Sequence, residues 1–111
     1  MRYVPPIPLY LLPHTATLQD VVLDAWQMEE SAGSVELEHV RIEPNSSLKL
    51  DASNQQVQLK AVLFFDLVNS RPLGAEFKLG QKVIHDGAIF HVASVDTLIA
   101  FGPHHLEVGL I

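Results

Sequence analysis

The fourteen residues from 57 to 70, VQLKAVLFFDLVNS, constrain this chain most. Val57, Leu59, Ala61, Leu63, Phe65 and Leu67 recur at period two, the spacing by which a strand presents a buried row. The other face starts polar at Gln58 and Lys60, turns apolar at Val62 and Phe64, is broken by Asp66 and resumes at Val68. A strand wet on that face would keep alternating. The second half is therefore expected to be central in a two-layer core or covered by another subunit. Asn69, Ser70, Arg71 and Pro72 end it, because Pro cannot donate to a ladder and Asn and Ser favour turns.

The flanking sequence repeats the β signal and shows no helical period. In VELEHVRIE (35–43), Val35 and Leu37 share one face and Val40 and Ile42 the other. That slip in phase is the signature of a β-bulge, with His39 at the slip. Ala75 to Leu79 reads as a short strand ended by Gly80. In KVIHDGAIFHV, Asp86-Gly87 between apolar runs predicts a two-residue type I′ hairpin turn, pairing His85 with Ala88, Ile84 with Ile89, Val83 with Phe90 and Lys82 with His91. The second strand of that hairpin runs through Val95 towards Phe101, long enough to serve two partners or to bend at Ala93-Ser94. After Gly102-Pro103, Leu106, Val108 and Leu110 point inward and Glu107 and Gly109 outward, which ties the C-terminal run into a sheet. Residues 14–34 are less legible; a helix capped by Asp20 competes with strand and loop, and the β-favouring Val21-Val22-Leu23 tips the reading to the latter.

Two segments fall outside this ladder. Residues 4–13, VPPIPLYLLP, cannot form a regular helix or central strand, since the prolines remove donors and lock φ. They read as an extended arm whose Ile7, Leu9, Tyr10, Leu11 and Leu12 either cover the domain's own sheet or reach a neighbouring subunit. The connection Pro44, Asn45, Ser46, Ser47, Leu48, Lys49, Leu50, Asp51, Ala52, Ser53, Asn54, Gln55 and Gln56 is a long polar excursion between strands, a kind of loop that tends to be functional. The expected fold is all-β: a small, partly open antiparallel barrel (residues 14–111) with this long inserted hairpin loop and a Pro-rich arm at 1–13.

With 111 residues and no cysteine, the chain suits one domain, and disulfides and Cys-based zinc sites are excluded. No segment reaches the roughly 18 apolar residues of a membrane helix. The proline-broken start lacks the apolar core of a signal peptide, so a protein made in the cytoplasm is expected. Net charge is −6, and the seven basic residues are scattered, which argues against phosphate binding as the main task. The acidic residues Asp20, Asp24, Glu29, Glu30, Glu36, Glu38 and Glu43 gather in one stretch and read as a solvated face. There is no nucleophile motif, phosphate loop or H-E-x-x-H, and the six histidines lack metal-site spacing. Phe64, Phe65, Phe77, Phe90 and Phe101 sit in apolar surroundings and read as core, not stacking platforms. No catalytic, cofactor-binding or metal residue is expected.

Taken in order, PPIP and LLPH, LEHVRIEPNSS, VQLKAVLFFDLVNSRP, KVIHDGAIFHV followed by Val95-Asp96, and PHHLEVGLI resemble the minor capsid protein family encoded in head-gene clusters of long-tailed phages and prophages of Gram-positive bacteria. The resemblance spans nearly the whole chain and is poorest over residues 19–34. It implies a virion structural protein and not an enzyme, assembled in the host cytoplasm and located in the virion. Size and β pattern are also similar to head-completion, or stopper, proteins, which form rings of small barrels below the portal through which DNA passes. On that likeness, residues 44–56 are the channel loop, and Ile7, Leu9, Tyr10, Leu11, Leu12, Val62 and Phe64 are the subunit interface. The implied partners are copies of the chain in a ring, portal or adaptor proteins and tail proteins, with DNA passing but not specifically bound and no membrane. Another virion role (capsid decoration or a tail component) is the alternative, and a ligand- or metal-binding barrel a more remote one.

Overall fold

A computed structural model describes residues 4–23, 26, 29–50, 54–100 and 102–111. Eight strands are formed among them: β1 (His14–Leu23), β2 (Glu29–Pro44), β3 (Leu48–Leu50), β4 (Gln56–Gln58), β5 (Ala61–Asp66), β6 (Lys82–His85), β7 (Ala88–Ile99) and β8 (Pro103–Leu110). Six close into an antiparallel barrel in the order β1-β2-β5-β8-β7-β6, with β6 returning to β1 through the Thr17–Ile84, Leu18–Val83 and Gln19–Lys82 rungs. The barrel is closed, where a partly open one was expected. Closure leaves no edge strand in the wall.

The core is the row of alternating side chains that the strands turn inward. Ala16, Leu18, Leu37, Val40, Ala61, Leu63, Phe65, Val83, Val92, Val108 and Leu110 form one buried cluster. Leu37, Val40, Leu63, Val83, Val108 and Leu110 are wholly inaccessible, and with Ala16 and Leu18 of β1 and Val92 of β7 all six wall strands contribute to a single interior. The 57–70 run is not one strand, however. β4 and β5 are separated at Leu59-Lys60, and the break shifts the parity. Ala61, Leu63 and Phe65 face the main core, whereas Leu59 packs with Val62, Ala93, Val57, Phe64 and Ile111 in a second cluster outside the wall. The apolar second face is thus covered in part by the same chain.

Local predictions can be checked rung by rung. The β6–β7 register is Lys82–His91, Val83–Phe90, Ile84–Ile89 and His85–Ala88, as expected, and Asp86 and Gly87 have φ of 49° and 78°, both on the positive side as a type I′ turn requires. The bulge at His39 is present: between His14–Val40 and Ala16–Leu37 the ladder gains a residue on β2, and His39 has φ 56°. β7 does serve two partners, with β6 up to His91 and β8 from Val92, and its register shifts between Val92 and Ser94. Gly109 makes that shift possible, since a Cβ there would run into Ser94 Oγ and come within 3.0 Å of Leu59 Cδ2. Residues 75–79 correct the reading. They form no strand; Ala75 and Phe77 instead pack against the core, with the Phe77 ring edge-on to Phe65 at 5.4 Å. The expected core role of Phe101 falls outside the described residues.

Two hairpins leave the wall. β1 and β2 continue past the last β1–β6 rung at Gln19 as a two-stranded ribbon, through Asp20–Gly33, Val21–Ser31, Val22–Glu30 and Leu23–Glu29. Where described, residues 14–34 are accordingly strand, with Trp26 in a turn, and not helix. The β2–β5 hairpin also extends outward: Asn45 donates to the Lys60 carbonyl (3.1 Å), Leu59 to the Ser47 carbonyl (2.9 Å), and β3 pairs with β4 as a separate small sheet. The molecule measures 54 × 28 × 23 Å, and its radius of gyration is 14.5 Å, above the about 13 Å expected of a compact chain this long.

Candidate functional surfaces

Residues 4–12 are docked on the barrel by side chains and not by a strand ladder. Prolines 5, 6 and 8 carry no N–H, so Ile7 is one of the few positions able to bond in both directions. Its N–H donates to Asp66 Oδ1 (2.9 Å), and its carbonyl accepts from Asn69 Nδ2 (2.8 Å). Asp66 is fully buried. Its other oxygen accepts the N–H groups of Val68 (3.0 Å) and Asn69 (2.8 Å), which folds the turn after β5. Ser70 Oγ accepts the Asp66 N–H (2.9 Å) and donates to the His39 carbonyl, while Glu38 and Arg71 exchange backbone hydrogen bonds at 2.9 Å each. One carboxylate thus ties the arm, the turn and, through Ser70, the β2 bulge together. Sequence reading registered Asp66 only as an interruption. The missed signal is local: an Asp followed two to four residues on by Val-Asn-Ser is the pattern of a side chain capping its own turn.

Further along the arm, Leu9–Leu11 form a single 3-10 turn, with Leu11 donating to the Pro8 carbonyl and Leu12 to the Leu9 carbonyl. The seven expected interface residues separate here. Leu12 is 1 % exposed and Val62 7 %, so both are consumed by their own subunit. Phe64 and Ile7 are half-buried and, with Leu11, Leu12, Arg41, Glu43 and His105, line a groove of about 390 Å³ between arm and barrel. Leu9, Tyr10 and Leu11 remain open to solvent, Tyr10 at 80 %.

The expected channel loop maps onto the outward extension of the β2–β5 hairpin. Leu48 and Leu50 are about three-fifths exposed (60 % and 59 %), and Lys49 between them pairs with Asp96 of β7 at 3.3 Å. Asn45 Oδ1 accepts the Ser47 N–H (2.7 Å) and turns the chain at the root. Asp51, Ala52 and Ser53 lie outside the described residues. The β1–β2 ribbon was not singled out as a working part, yet it is the larger projection, and Trp26 at its far end is 84 % exposed. Of the acidic residues of 20–38, Asp20, Glu29 and Glu30 lie on this hairpin, Glu36 and Glu38 lie on β2 beside the wall, and Asp24 falls outside the described residues. Asp20 is not merely solvated, because it accepts from the Nε2 of the buried Gln81 at 2.7 Å.

Four of the six histidines fall into two pairs. His14 of β1 and His85 of β6 meet edge to face at 5.0 Å, brought together by barrel closure. His14 Nδ1 accepts the Ile42 N–H (3.0 Å), which requires a neutral ring at that nitrogen. Burial, then His85 and Arg41 nearby, push its pKa below the ordinary imidazole value, in keeping with that bond. His104 and His105 form the second pair on β8, with Nδ1 atoms 2.8 Å apart. Adjacent strand residues normally diverge, so sequence spacing gave no reason to join them. Among the described residues, no group of three or more His, Asp or Glu side chains is arranged to hold a metal ion.

No buried constellation of reactive groups stands out among these features. What the surface offers is apolar and acidic projections on a closed scaffold, the kit of an assembly protein. Comparison with known proteins agrees. No curated protein and no solved structure gives a significant match. The family model described as "Minor capsid protein" matches residues 8–110, from the docked arm through the last barrel strand. A match over that span covers every element described above, and it makes this chain a member of the minor capsid protein family, a phage structural protein of the virion.

Proposed function

We propose that this protein is a head–tail connector subunit of the head-completion, or stopper, kind. Copies of the barrel stand side by side in a ring below the portal, DNA passes through the ring, and portal or adaptor and tail proteins bind its two rims. The observation that carries this reading is the division of the molecule into a closed barrel and outward hairpins. A barrel without edge strands cannot fuse its wall with a neighbour's, so ring contacts fall to projecting parts. The arm supplies Leu9, Tyr10 and Leu11, with Ile7 and Phe64 along the groove. Leu12 and Val62, buried within the subunit, are left out of the interface in this reading.

In this reading residues 44–56 are the channel element. Their support is the placement of 48–50 and 56 in a small sheet apart from the barrel, with Leu48 and Leu50 exposed on a short hairpin fixed to β7 by Lys49–Asp96. The charge of −6 suits a conduit, since a cationic lining would hold the phosphate backbone and slow transit. DNA contact is thus passage and not recognition. Assembly takes place in the host cytoplasm from soluble subunits.

The test is electron microscopy of lysates from a phage lacking this gene. Separate heads and free tails, with the heads empty or leaking, are expected. Complete virions would transfer the protein to decoration or an accessory role. Absence of filled heads altogether would place its action earlier and overturn the stopper reading. Within a complementing phage, shortening residues 45–56 is expected to leave the barrel folded but alter DNA retention; normal retention and tail joining would remove the gate role from that loop.

A further inference from the structure

We propose that a single extra proton shared by His104 and His105 clasps the N-terminal arm to the barrel. His104 Nε2 lies 2.8 Å from the Pro5 carbonyl oxygen, and an oxygen of that kind can only accept, so Nε2 must carry hydrogen. At the other end His105 Nε2 lies 3.2 Å from Glu107 Oε2, a carboxylate, and again the ring must donate. Between them the two Nδ1 atoms, 2.8 Å apart, need one hydrogen. Three contacts therefore require three nitrogen-bound protons, whereas two neutral imidazoles carry two. With Glu107 ionised, the full chain from Pro5 to Glu107 exists only when the pair is a monocation, whichever ring holds the charge.

The consequence is a two-sided pH response. Losing the extra proton leaves three contacts with two donors, and one contact opens. Gaining a fourth sets two Nδ1–H groups against each other, and the pair must separate. Pro5 is the sensitive end, because the prolines leave the arm few backbone donors and its next attachment is at Ile7. The charges around the pair come from several elements. Asp66 of β5 stands opposite His105 and is occupied by the N–H groups of Ile7, Val68 and Asn69; in the turn after it, Arg71 bonds the Val68 and Ser70 carbonyls. Arg41 and Glu43 of β2 pair with each other in the same groove, and Asp96 of β7, opposite Glu107, pairs with Lys49. The arm residues 4–12 contribute no charged side chain, Tyr10 being their one titratable group. Glu107 is left as the counter-charge in direct contact. If the arm serves ring contacts as proposed above, the clasp decides whether Leu9, Tyr10 and Leu11 are presented from a docked or a released arm.

The test uses the full-length chain carrying His14→Asn, which keeps an acceptor for Ile42 and removes the imidazole whose pKa is lowered by burial. Long-range proton–nitrogen correlation spectra of the imidazoles are recorded across pH with the hydrogen-exchange protection of the Ile7 amide. Three protonated nitrogens among the four of the pair are expected at the pH of greatest protection, with protection falling about tenfold on either side, the equivalent of one lost hydrogen bond. His105→Phe should flatten that profile. Two protonated nitrogens at maximal protection, protection that changes in one direction only, or an unchanged two-sided profile in His105→Phe would each overturn the proposal. The proton count needs no variant of the pair and so holds whether or not His105→Phe folds.

Discussion

β1 and β2 are each two different structures along one length. In their barrel halves, Ala16, Leu18, Leu37 and Val40 are at most 4 % exposed and locked against four other strands. In the ribbon half, past Gln19, the same ladder runs on with no third strand in register among the described residues, and Trp26 is 84 % exposed. In the barrel halves β1 also pairs with β6 and β2 with β5, whereas in the ribbon half each is paired only with the other among the described residues, so both pairing and burial differ. Two-stranded ribbons are marginal in water unless something covers them. The barrel half is therefore a scaffold that holds itself up, whereas the ribbon half is held out from it, with its edges open to another molecule.

The sharpest way to break that contrast is to attack the core. Phe65→Ala removes a ring 1 % exposed that packs on Phe77 and is expected to lower unfolding free energy by about 4 kcal/mol in urea titrations; a loss under about 1 kcal/mol would mean the wall does not depend on that interior. Next comes Asp66→Ala, which strands the N–H groups of Ile7, Val68 and Asn69 together. A loss of about 3 kcal/mol is expected, with raised exchange at all three amides, because unpaired donors in a covered site cost their full desolvation. Gly109→Ala should cost about 2 kcal/mol by forcing Ser94 and Leu59 aside and straining the β7 bulge.

Smaller effects sharpen the comparison. His14 has a folded pKa below its unfolded value, so the unfolded chain takes up a proton first as pH falls. Its contribution to stability is whole above about pH 6.5, the ordinary imidazole value, and is lost as pH falls through the folded value. Urea midpoints should drop from neutral to mildly acidic pH, and the drop should shrink in His14→Asn. The least effect is expected from the ribbon. Replacing residues 21–31 by a two-residue Asn-Gly turn should change barrel stability by no more than about 0.5 kcal/mol, the range for surface changes, yet disturb particle assembly. A large stability loss would show that the ribbon supports the wall.

How much of this is legible in the sequence follows the same division. Period-two runs and the Asp86-Gly87 turn fixed the β6–β7 register residue by residue, and a phase slip located the bulge at His39, because both are written in neighbours. Barrel closure is not, since the β1–β6 rungs join residues over sixty positions apart. The same holds for Asp66 holding Ile7 and for His14 meeting His85: each rests on contacts that only the closed topology creates. Phe77 misled for another reason. Alternation in AEFKL looked like a strand, but packing on Phe65 took the ring, and the backbone followed the ring. The run Val21-Val22-Leu23 signals strand, but that this hairpin stands out from the wall depends on where β6 stops pairing with β1, which is not written in neighbours.

The most direct measurement is a cryo-electron microscopy reconstruction of the neck of mature virions carrying this protein. A ring of closed six-stranded barrels beneath the portal, with residues 44–56 lining the axis, is the predicted result. Barrels found on the capsid shell or along the tail, and none at the portal vertex, would contradict the connector assignment.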